Sequence, residues 1–78
     1  MITETELIEK LRLALVDSNI NENSNNSNTD NWDSLGQLSV LATLSNLTNK
    51  ESDKIEDLRE VESVLEIFRI LRVHNLLK

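Results

Sequence analysis

The sequence predicts an all-α protein, a small four-helix bundle, on three observations. Its 78 residues include no proline and one glycine, so little in the chain interrupts a helix. Leucine and glutamate are frequent, while Trp32 and Phe68 are the only aromatic residues, a balance that suits helices better than sheets. Apolar residues also recur at three- and four-residue spacing in separate stretches, the period of a helix with one buried face.

The first helix is expected over residues 3–17. Thr3 and Glu6 have the spacing of a capping box, and Ile2 and Leu7 flank it as a hydrophobic staple. Leu7, Ile8, Leu11, Ala14 and Leu15 then form the buried stripe, with Glu9, Lys10 and Arg12 opposite. Residues 18–33 are expected to be a long loop. Most of it is a polar, asparagine-rich run whose side chains compete with the backbone for hydrogen bonds, and it reads as a flexible connection pinned by Ile20.

A second helix is expected over residues 34–48, opened by Ser34 as its cap and ended near Asn46 or Asn49. Leu35, Leu38, Leu41, Ala42 and Leu44 are read as its apolar contacts, and Gln37, Ser39, Thr43 and Ser45 as its surface. Between Asp33 and Lys50 there is no charged residue, although 28% of the chain is charged. A short third helix is expected over residues 53–60, capped by Asp53 with Glu56 and burying Ile55 and Leu58. The fourth, over residues 63–74, starts at a second capping box, Ser63 and Glu66, and buries Val64, Ile67, Phe68 and Leu71. Residues 1–78 thus read as one small domain.

Composition narrows the function. The net charge of −6 argues against nucleic acid and anionic membranes as partners, because phosphate contacts need clustered Lys and Arg. Without cysteine there is no disulfide, thiolate nucleophile or cysteine-held zinc, and a single histidine, His74, leaves no imidazole metal cage. Glu56, Asp57, Glu60 and Glu62 lack the glycine-centred turn of a calcium loop and read as a solvated face. The first residues lack the basic and apolar regions of a secretory signal, and no window is long enough to span a membrane, so a cytoplasmic location is expected.

The residues that point to a chemistry are Trp32-Asp33-Ser34-Leu35-Gly36-Gln37-Leu38. They place a serine at a helix start, where free N–H groups and the positive dipole end favour an anion. No histidine or lysine lies near Ser34 in sequence to act as its base, so no catalytic residue is assigned and the chain is not expected to be an enzyme. Trp32 is expected to be a structural plug over the end of the core.

This string resembles the modification site of acyl and peptidyl carrier proteins, in which the serine of an Asp-Ser-Leu motif carries 4'-phosphopantetheine. The length, acidic balance, long first loop and position of the serine agree with that family. The resemblance implies an acyl-carrier type four-helix bundle with a long first loop and a short third helix. It implies covalent 4'-phosphopantetheine on Ser34, donated by coenzyme A through a phosphopantetheinyl transferase that holds the magnesium, with no metal on this chain. The thiol of the arm would hold a thioester, and tethering would give the cargo a high local concentration at each partner enzyme.

Partner recognition is then expected from Asp33, Leu35, Gly36, Leu38 and Ser39, with a loading ligase or synthetase and downstream acyltransferases or synthases as partners of a free-standing monomer. Carriers of fatty-acid synthesis have acidic residues along the second helix, whereas this chain aligns Gly36, Ser39, Ser45 and Asn46 with them. That difference favours a specialised biosynthetic pathway. An aminoacyl or peptidyl carrier, and an unmodified acidic helical interaction module, are the alternatives.

Overall fold

The computed structural model describes residues 1–78. Three α-helices form the body: α1 (Glu4–Ala14), α2 (Ser34–Leu47) and α3 (Val64–Val73). There is no strand, and two isolated bridges, Ile2 with Leu77 and Asn25 with Ser63, are the only β pairing.

Helix α1 begins where its cap predicts, with the Glu6 N–H donating to Thr3 Oγ1 at 3.1 Å. Leu7, Leu11 and Leu15 are fully enclosed, and Ile2 is buried beside them. The helix ends at Ala14, three residues short of the expected boundary. Val16 turns left-handed (φ 51°), and the Asp17 N–H reaches back to the Arg12 carbonyl at 3.0 Å. The other two helices close by the same Schellman geometry, with Asn49 (φ 53°) after α2 and Asn75 (φ 59°) after α3. The Lys50 N–H donates to Ser45 O at 2.7 Å, and the Leu76 N–H to Leu71 O at 2.8 Å. None of the three uses glycine.

Leu15, just past α1, meets Gly36 in the first turn of α2, while Lys10 lines a groove with Asn46 and Leu47, so the two helices run antiparallel. The buried residues of α2 are Gly36, Val40 and Leu44. Leu35 and Leu38, expected among the apolar contacts of this helix as well as in partner recognition, are 76% and 64% exposed, and Ala42 is exposed as well. Apolar residues lie on nearly every side of this helix, so spacing alone carried no direction.

The expected short third helix is not an α-helix. Residues 51–60 form two 3-10 turns, Glu51–Lys54 and Glu56–Glu60, separated at Ile55 by extended backbone (φ −103°, ψ 100°). The proposed Asp53 cap is not used, since neither turn has a side-chain cap. The buried residues explain the change: Ser52, Ile55, Leu58 and Val61 recur every third position. In a 3-10 turn residues three apart stack on one face, whereas an α-helix would swing Val61 away from Ser52. The path starts at Thr48, whose buried hydroxyl donates to Leu44 O at 2.7 Å and accepts the Ser52 N–H at 2.9 Å.

Helix α3 opens on its expected cap, with the Glu66 N–H donating to Ser63 Oγ at 3.1 Å. Glu66 Oε1 accepts from the Glu62 N–H at 3.0 Å, one residue before the cap. Val64, Ile67, Phe68, Ile70 and Leu71 complete a single core with Leu7, Leu11, Val40 and Leu44.

The asparagine-rich loop has a defined course. Asn21 and Asn25 accept from backbone N–H groups two residues on, at 2.7 and 2.8 Å, in successive Asx turns. Ile20 is buried in the core. The loop then pairs with the start of α3: the Asn26 N–H donates to Glu62 O at 2.8 Å, and the Val64 N–H donates to Ser24 O at 3.0 Å. A first-turn donor of α3 is therefore satisfied by the loop.

Candidate functional site

The residues around Ser34 are brought together by the end of the loop and the first turn of α2. Asp33 is the N-cap, in extended backbone, and its Oδ1 accepts the Gly36 N–H at 2.9 Å. Ser34, expected as the cap, is instead the first helical residue. Asp and Ser are equally good caps, and the helix selects the one whose carboxylate reaches Gly36 while complementing the positive dipole end.

That one-residue shift frees the serine. Ser34 is exposed, and the side-chain hydrogen bonds around it belong to Trp32, Asp33 and Gln37. The Ser34 and Leu35 N–H groups have no backbone acceptor, whereas those of Gly36 and Gln37 are satisfied by the side chain and carbonyl of Asp33. An exposed hydroxyl beside two free donors suits a serine that receives a phosphodiester.

Asn26, Trp32, Asp33, Ser34 and Gln37 line an open depression of about 450 Å³. Trp32 lies under it, 3% exposed, and its indole N–H donates to Gln37 Oε1 at 2.7 Å. Gln37 Nε2 continues to the Arg59 carbonyl at 3.0 Å. Asn26 is held over the start of α3 by its Nδ2, which donates to Glu62 Oε2 at 3.2 Å.

Of the residues expected to meet partners, Asp33, Leu35 and Leu38 are exposed and Ser39 is half-buried. Gly36 is buried, packed beneath the Asn31 carbonyl and against Leu15, so it serves as a spacer and not as a docking residue. The outward face of α2 is Leu35, Leu38, Ala42 and Asn46, neutral throughout.

No family model matches this chain, and neither a curated protein nor a solved structure matches it. The site therefore stands on its own geometry.

Two contributors escaped the sequence reading. Gln37 is a surface residue by helical spacing, and its signal in the sequence is the nearby indole N–H of Trp32, which needs an acceptor once buried. Asn26 had no local signal, because its partner Glu62 is 36 residues away. Elsewhere, Glu56, Asp57, Glu60 and Glu62 line an open groove with Arg59 and Arg69. No group of three or more His, Asp or Glu side chains converges as a metal site. No helix is long and apolar enough to cross a membrane.

Proposed function

We propose that this chain is a cytoplasmic acyl carrier protein of a specialised biosynthetic pathway, loaded through 4'-phosphopantetheine on Ser34. The observation that carries the reading is the placement of Ser34: exposed, first in α2, directly after a capping aspartate, with no intramolecular bond to its hydroxyl. In this reading the two 3-10 turns are the counterpart of the short third helix of a carrier bundle.

A phosphopantetheinyl transferase joins Ser34 Oγ to the phosphopantetheine phosphorus of coenzyme A, breaking the pyrophosphate link and releasing the adenosine nucleotide, while the serine proton passes to the transferase. Ser34 supplies the oxygen, and the free N–H groups of Ser34 and Leu35 favour the anion that results. Asp33 holds the helix start through Gly36 and keeps one carboxylate oxygen for the transferase. When attached, the arm supplies the thiol on which a cargo is held as a thioester, chemistry that a chain without cysteine otherwise lacks.

The neutral outward face of α2, with Leu35 and Leu38 exposed, fits two further readings and does not decide between the two kinds of carrier. One is an aminoacyl or peptidyl carrier, which differs in its loading enzyme. The other is an unmodified helical module that docks a partner through these leucines.

Intact-protein mass spectrometry after incubation with coenzyme A, magnesium and a broad-specificity transferase tests the proposal. One phosphopantetheinyl addition that disappears in Ser34→Ala is expected. No addition to the folded protein with several transferases leaves the unmodified module as the reading.

A further inference from the structure

We propose that Gln37 is the positioning residue of the Ser34 site, a role that rests on the carrier reading. The Ser34 hydroxyl has no bond of its own, so its place in space is set by the residues on either side of it. Gln37 holds both residues that precede it. Its backbone N–H donates to the Asp33 carbonyl at 2.7 Å, and its side chain takes the indole N–H of Trp32 at 2.7 Å.

The carboxamide has one chemically allowed orientation here. An indole N–H only donates and a backbone carbonyl only accepts, so Oε1 must face Trp32 and Nε2 must face Arg59. The side chain thus ties the segment before Ser34 to the second 3-10 turn. Trp32 is nearly enclosed, and a buried indole without its acceptor pays the desolvation of an unsatisfied donor. Removing the carboxamide therefore leaves the indole N–H of Trp32 without its acceptor and cuts the tie to the second 3-10 turn, which shifts the segment before Ser34 while Ser34 remains exposed and chemically intact.

Transfer needs the serine oxygen in line with the phosphorus that it attacks, and a displacement on the order of 1 Å costs up to about a hundredfold in rate. Gln37 acts on that geometry only through Trp32 and the turn.

The test is the single-turnover rate of phosphopantetheinyl transfer with transferase in excess, for wild type, Gln37→Met, Trp32→Phe and the double variant. Methionine matches glutamine in length, keeps the backbone bond to Asp33 and makes neither side-chain bond. A slowing of about tenfold is expected in Gln37→Met, with the KM for coenzyme A unchanged and the thermal unfolding midpoint well above the assay temperature. The indole N–H resonance of Trp32, the only tryptophan, should move upfield and exchange faster. The slowing in the double variant should be smaller than the two single effects combined, because both changes break the Trp32–Gln37 bond while only Gln37→Met also breaks the bond to Arg59.

Should the methionine variant not fold, Gln37→Glu keeps the acceptor for Trp32 while losing the donor to Arg59, and it should retain the bonded indole resonance and transfer more slowly than the wild type. Wild-type rates in the variants, slowing fully additive in the double variant, or slowing equal to the unfolded fraction each overturn the positioning role alone. Absence of transfer to the wild type overturns the carrier reading and the positioning role together.

Discussion

The carbonyl oxygen of Asn31 occupies the space that a Cβ on residue 36 would need, and Leu15 Cδ2 lies 3.0 Å from the same point on the other side. Only glycine lets the loop cross α2 this closely. Gly36→Ala must push Asn31 backbone away, and backbone yields less readily than a side chain. A loss of about 1–3 kcal/mol in urea denaturation is expected, against a near-neutral Ser39→Ala. Equal stability of the two variants would remove the close crossing.

Val16 is a β-branched residue in left-handed backbone, 84% exposed, at the position where a Schellman motif favours glycine. Its side chain has almost no packing to lose. Val16→Gly is therefore expected to raise the unfolding free energy by about 1 kcal/mol, even though glycine widens the unfolded ensemble. A destabilised variant would mean that the helix ends differently.

The two neighbouring cap-competent residues are distinguished by stability. Asp33→Ala removes the acceptor of the Gly36 N–H and should cost about 1 kcal/mol. Ser34→Ala removes a hydroxyl without a partner and should stay within about 0.5 kcal/mol. Chemical denaturation of both gives the ranking, and the reverse order would move the cap to Ser34.

The orientation of α2 makes a larger contrast. Leu44 is fully enclosed, so Leu44→Ala should cost about 2–5 kcal/mol, a large share of the stability of a domain this size. Leu35→Ala and Leu38→Ala should each stay within about 0.5 kcal/mol. In binding assays the two exposed leucines should matter and Leu44, once its stability loss is accounted for, should not. A large loss at Leu35 or Leu38 would indicate a rotated helix.

Helices α1 and α3 were legible because their polar and apolar residues separate onto two faces, and because Thr3 and Ser63 sit three residues before a glutamate. Helix α2 was legible as a helix but not as a face: Leu35, Leu38, Val40, Leu41, Leu44 and Leu47 surround it, and only the close crossing at Gly36 sets its rotation. Ile55 and Leu58, three apart, fit an α-helix and a 3-10 turn equally well, and it is Ser52 and Val61 that favour the tighter period. The loop's asparagines were readable as backbone partners, but pairing Asn26 with Glu62 depends on tertiary placement. At the site, Ser34 and Asp33 were both visible, but the cap is Asp33 and not Ser34. Gln37 lay hidden among residues read as surface.

The pairing of Ile2 with Leu77, reinforced by the Lys78 N–H to Ile2 O bond at 2.8 Å and by the Arg72 ion pair to Glu4, brings the first and last residues of this chain side by side. In outline the backbone is nearly a ring. A short peptide joining residue 78 to residue 1 would need little span, and a circularised chain would have fewer unfolded conformations to lose on folding. Glu22 and Asn23, exposed at a turn ahead of the loop's pairing with α3, are the natural place to reopen such a ring, giving permuted chains in which α2, with Ser34 at its head, lies near the new amino end.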